Sequence, residues 1–110
     1  MSNLKNRVQL IGNLGNDPEV VTFDSGKKLV KASLATNETY KNKEGEKVTE
    51  TDWHNVVAWG KTGDLFEKFL SKGDQCGVVG KLKNRSYQGE NGETKYVTEV
   101  VVDELLLMGK

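Results

Sequence analysis

The stretch Thr51-Asp-Trp-His-Asn-Val-Val-Ala-Trp-Gly-Lys61 constrains this chain more than any other. Read as a strand, it sends Trp53, Asn55, Val57 and Trp59 to one face and His54, Val56 and Ala58 to the other. The second set ends in small apolar residues suited to a core. The first carries the only two tryptophans of the chain beside an asparagine, and Lys61 follows at once. Two indoles on a face that also holds polar groups form a wet platform on which flat ligands such as nucleobases stack. The competing reading is a core role for one or both indoles, since tryptophan is on average highly buried. Taken alone, the strand leans towards the core. His54, on the opposite face, fits either a satisfied core position or a subunit contact.

The rest of the chain repeats this two-residue period. Asn6 to Leu14 reads as a first strand, with Gly12 inside it and Gly15 just beyond, glycines that mark a bend at a barrel corner. Asn16-Asp17-Pro18 is a turn, Val20 to Phe23 a short strand, and Asp24-Ser-Gly26 another turn. Leu29 to Tyr40 is a long strand with Val30, Ala32 and Leu34 on its dry face and Tyr40 near its outer end. A charged loop, Lys41 to Glu50, leads back to the tryptophan strand. The one helical pattern follows, with Leu65, Phe66, Phe69 and Leu70 on one face, which places its aromatics in the core. Thr62 or Asp64 is positioned to cap its start, Asp64 with Glu67 fits a capping box, and Gly73 is positioned to end it.

Cys76 to Tyr87 is the second informative strand. Lys81, Lys83, Arg85 and Tyr87 share one face, with no acid between them, and Val78, Gly80 and Leu82 share the other. Lysines on a solvated sheet edge account for part of this row by preventing edge pairing. A row of cations ending in an aromatic fits phosphates plus a stacked base better. An Asn91-Gly92 hairpin turn and a last strand, Tyr96 to Met108, complete the chain.

Composition removes several classes of function. The 110 residues suffice for one domain, 1–110, and carry 16 basic against 16 acidic side chains. A net charge of zero argues against binding polyanions by bulk charge, so any nucleic-acid reading rests on where the cations lie. No apolar run approaches the roughly 20 residues of a membrane span. The N-terminus lacks the apolar centre of a secretory signal, and a single cysteine suits a reducing cytosol. One histidine and one cysteine assemble no multi-Cys/His zinc site. Glu99 and Asp103 share a strand face but stand about 13 Å apart at strand rise, too far to hold one metal. No catalytic site, metal or cofactor is expected.

Five main strands in antiparallel order, with one short α-helix between strands 3 and 4, describe an all-β OB-fold Greek-key barrel. The residues also carry a family resemblance. Gly12-Asn-Leu-Gly-Asn-Asp-Pro-Glu19, Leu34-Ala-Thr36, Thr51-Asp-Trp-His54, Gly60-Lys61 and Thr98-Glu-Val-Val-Val102 resemble the bacterial single-stranded DNA-binding protein family, from about Leu4 to Met108. The resemblance implies a homotetramer, or a dimer, that wraps single-stranded DNA in replication, recombination and repair, without sequence preference or catalysis. It implies base stacking at Tyr40, Trp53, Trp59 and Tyr87, and basic contacts from Arg7, Lys61, Lys72, Lys83 and Arg85. Val21 and Asn55 occupy positions that can be basic in relatives. It further implies a cytoplasmic, nucleoid-associated protein with no membrane partner. The flexible linker and acidic C-terminal tip that usually follow, and that recruit replication and repair proteins, are absent from this sequence. The same stacking face would also serve an OB domain for RNA or an anticodon, or a barrel that docks a protein partner.

Overall fold

Alternating apolar and polar side chains make long strands that each need a shared interior. The structure, a computed structural model, describes residues 5–108; Leu4 and Lys110 lie outside them. Its elements are β1 (Val8–Leu14), β2 (Glu19–Thr22), β3 (Lys28–Lys41), β4 (Lys47–Trp59), α1 (Gly60–Phe69), β5 (Gln75–Gln88) and β6 (Thr94–Leu107). The sheet order is β1-β5-β6-β4-β3-β2, and a further β1–β3 pairing closes five of the strands into a barrel. This is the expected OB-fold. Counting the short β2, which hangs on β3 outside the ring, the helix falls between β4 and β5. All pairings are antiparallel except that of β4 with β6.

Closure depends on β1. It pairs with β5 from Val8 to Asn13, then turns so that Asn13 and Leu14 pair with Ala35 and Leu34 of β3. A methyl group at Gly12 would lie 2.1 Å from the Ala35 carbonyl oxygen, so only glycine lets the two backbones cross there. The barrel corner expected from this glycine is where the ring shuts.

Three hairpins end in the same turn. At Phe23–Lys27, Asn42–Glu46 and Gly89–Glu93 the first residue's N–H donates to the last residue's carbonyl. In each, a glycine, Gly26, Gly45 or Gly92, has φ between 81° and 88° and donates back three residues. These are three-residue loops of a type I turn followed by a left-handed glycine, which favour the right-handed strand twist. The Asn91-Gly92 turn is therefore corrected to a three-residue loop, Glu90 to Gly92.

The inward faces meet in one core. Val30, Ala32, Leu34, Val56, Ala58, Val78, Val100 and Val102 fill the barrel, with Phe66 of α1 and Leu70 just after it packed into the same core. Phe66 is fully buried, worth roughly 1.5–3 kcal/mol of hydrophobic stabilisation. Phe69 and Leu65 are 47% and 42% exposed, so the expectation of an all-core aromatic face on α1 holds for Phe66 alone. The expected side-chain caps do not form. The helix starts at Gly60 with Trp59 at the N-cap, which has no side chain able to accept, so Thr62 and Asp64 fall inside the helix; Asp64 and Glu67 pair with Lys28 of β3. Gly73 does adopt φ of 91°, but beyond the helix, in a turn that returns its N–H to the Leu14 carbonyl.

Candidate nucleic-acid interface

Strand register decides which outward faces adjoin. On β3 and β4, Leu29 pairs with Trp59, Lys31 with Val57, Ser33 with Asn55 and Ala35 with Trp53. Val57 pairs in parallel with Val101 of β6, and Val101 and Glu99 pair with Lys81 and Lys83 of β5. The tryptophan face and the cationic row are therefore one continuous surface, with only β6 between them. A groove of about 670 Å³ runs across it, lined by Phe23, Lys31, Trp59, Lys81, Lys83 and Arg85 among others.

The four expected stacking residues are all open to solvent. Trp53 is 63% exposed and Trp59 45%, which overturns the core reading of the tryptophan strand. Trp59 lies stacked against Phe23, with ring centroids 5.7 Å apart and planes 23° from parallel. Trp53 packs over Gly15, where a methyl group would stand 2.3 Å from the indole Cζ3. The second glycine of the first motif is thus the seat of an indole. Tyr87 continues the Lys81, Lys83, Arg85 face along the β5–β6 arm, opposite Lys95. Tyr40 falls on the reverse face of the β3–β4 arm, opposite Val48, and its hydroxyl donates to Glu50 at 2.8 Å. That bond, with the Glu50 charge, raises the phenol's pKa above its ordinary value.

The basic residues separate into two groups. Lys83 and Arg85 line the groove. Arg7, just before β1, Lys61 in the first turn of α1 and Lys72 beyond the helix are exposed outside it. Lys72 is anchored through its backbone N–H, which donates to the Asp17 carboxylate at 2.8 Å. The row on β5 is not free of acid, as its own strand implied. Glu99, 8% exposed, reaches in from β6 and accepts Arg85 Nε at 2.9 Å and Nη2 at 3.2 Å. This fork, with its Coulomb attraction, pushes the Arg85 pKa further up.

Phe23, Lys31 and Glu99 belong to the site and escaped the sequence reading. Phe23 follows β2, Lys31 lies on β3 and Glu99 on β6, so only pairing across the sheet brings them to the tryptophan and cation faces. The one usable signal was Phe23, a large aromatic at the end of a short strand beside a turn. His54 is partly buried on the opposite face, its Nε2 2.9 Å from Thr36 Oγ1. Cys76 is fully buried and its thiol is pushed up to about 11, first by burial and then by the Asp74 charge. Such a thiol is inert as a nucleophile. Among the described residues, no group of three or more His, Cys, Asp or Glu side chains is placed to hold a metal ion. None of their helices is long and apolar enough to cross a membrane.

An OB-fold barrel with a wet aromatic platform facing a row of cations defines the class to which this chain belongs. The profile of the Single-strand binding protein family matches residues 5–108, and the chain belongs to that family. It is 39% identical over 104 residues to a single-stranded DNA-binding protein of Xylella fastidiosa, covering 94% of this chain and 63% of that one. It is 42% identical over 105 residues to single-stranded DNA-binding protein 1 of Chlorobaculum tepidum, covering 94% and 65%. The chain thus spans less than two thirds of the length of these relatives. The fold is similar to that of a Plasmodium falciparum SSB solved in complex with ssDNA, with a TM-score of 0.85 and 32% identity over 94% of this chain and 95% of that one.

Proposed function

We propose that the protein binds single-stranded DNA without sequence preference and catalyses nothing. The observation that carries this reading is the continuity of the groove, in which exposed Trp59 and its partner Phe23 face Lys81 and Lys83 across β6. Bases stack on Trp53, Trp59 and Tyr87, each stacked base contributing roughly 1–3 kcal/mol whatever its identity. Tyr40 serves a segment of the strand that passes to the reverse face of its arm. Arg7, Lys61, Lys72, Lys83 and Arg85 mark the basic track along the strand, and each phosphate neutralised on it adds affinity that falls with salt at a slope of about −0.7. Duplex DNA hides its base faces, so stacking selects single strands.

The names of the relatives agree with this reading. So does an apolar patch on the outer face of β1, β5 and β6, where Ile11 and Leu106 are 48% and 60% exposed across Gly77. The patch suits a homo-oligomer, a tetramer in the family's manner, acting in replication, recombination and repair in the cytoplasm at the nucleoid. The test is a titration with oligothymidine of increasing length, following tryptophan emission, with a duplex and an oligouridine alongside. Strong quenching by oligothymidine alone is expected. Undiminished emission at micromolar oligothymidine overturns the reading, and tighter binding of oligouridine would redirect it to RNA.

A further inference from the structure

A nearly buried carboxylate in a groove for a polyanion calls for a role. Glu99 is the sole acid among the residues that line the main groove, and it sits between Lys83, its cross-strand partner, and Arg85, which it grips through two hydrogen bonds. Its side chain is 10% exposed, against 46% for Arg85. The grip uses Nε and one Nη2 hydrogen, leaving the far edge of the guanidinium open to solvent. A planar fork meets carboxylate and phosphate in the same way, so one acceptor occupies the geometry the other would need. Lys31, Lys81 and Lys83 make no ion pair of this kind among the described residues.

We propose that Glu99 is a built-in phosphate surrogate, a positioning residue that holds Arg85 in the groove while cancelling its charge. Arg85 then offers a flat, oriented hydrogen-bonding edge to the strand without releasing a counterion, and the salt-dependent part of binding comes from the other cations. The consequence is a groove that grips bases by stacking at this point and holds phosphate weakly, which speeds release. This inference rests on the single-stranded DNA reading.

The experiment measures oligothymidine binding by tryptophan quenching over a series of salt concentrations, for wild type, Glu99→Gln and the double variant Arg85→Ala with Glu99→Gln. Freed Arg85 gains one phosphate contact, so the Glu99→Gln slope should steepen by about 0.7, equivalent to about fivefold tighter binding at 0.1 M salt. The double variant should return to the wild-type slope. Thermal unfolding of each variant reads folding separately. A merely structural Glu99 would lower the melting temperature and weaken binding with no change of slope, and that result overturns the proposal. So does a steeper slope that persists in the double variant. If wild type shows no quenching at all, this inference falls together with the binding reading; quenching with a common slope removes this inference alone.

Discussion

Trp59 and Phe23 stack at 5.7 Å between centroids although one ends β4 and the other follows β2, so the platform is built from two segments of chain. In the proposed binding mode Trp59 meets the base and Phe23 holds the indole in place. Trp59→Ala should cost about 1–3 kcal/mol of oligothymidine affinity, and Phe23→Ala about 0.5–1.5 kcal/mol, the value of an aromatic pair. Isotherms followed by tryptophan emission check both, with Trp53 the sole emitter in Trp59→Ala. Equal losses would make Phe23 a stacking residue in its own right.

Two glycines in one motif should behave oppositely. Gly12→Ala drives a methyl into the Ala35 carbonyl, a backbone atom that cannot move without opening the β1–β3 seam. A stability loss of about 3 kcal/mol or more is expected in urea unfolding. Gly15→Ala meets only the Trp53 ring, which can swing away. Its stability should change by less than about 0.5 kcal/mol, while binding loses up to the roughly 1–3 kcal/mol of one stacked base.

Tyr87 stands two residues beyond Arg85 on the same face of β5. Tyr87→Ala should lose about 1–3 kcal/mol of binding and leave the salt slope unchanged. Tyr40→Ala, on the reverse face, should weaken long oligothymidine more than short, since a short strand can occupy the groove alone. A length series for the two variants separates them.

Burial of Cys76 couples stability to alkaline pH. The thiol of the unfolded chain loses its proton near pH 9, whereas the folded one keeps it until about 11. Between those values the unfolded state binds fewer protons, so stability falls as pH rises from about 9 to about 11. Urea unfolding at pH 8 and pH 10 should show a smaller alkaline loss for Cys76→Ala than for wild type.

The apolar patch around Ile11 and Leu106 should hold copies of the chain together. Sedimentation equilibrium should give a multiple of 12.2 kDa for wild type and a smaller species for Leu106→Glu. A wild-type monomer at micromolar concentration would remove the oligomer from the proposal.

Local chemistry made much of this protein legible in its sequence. The period-two alternation of Val30, Ala32 and Leu34, and of Val56 and Ala58, fixed which faces turn inward, because a strand's side chains have no other choice. Gly12 marked the barrel corner for the same reason, its missing side chain being useful only where backbones touch. Trp53 was different: nothing within β4 says whether an indole is wet or dry. That was decided by the barrel, which turns the other face of β4 to the core. Glu99 is the clearest case of what tertiary structure alone decides. It lies 14 residues from Arg85 in the chain, and only the β5–β6 register brings its carboxylate to the guanidinium. The expected helix caps failed because α1 starts directly after β4, at Gly60, which leaves Thr62 and Asp64 inside the helix, where Asp64 and Glu67 meet Lys28 of β3. Sequence determined the faces, because alternation is local; pairing between strands distant in the chain determined which charges meet.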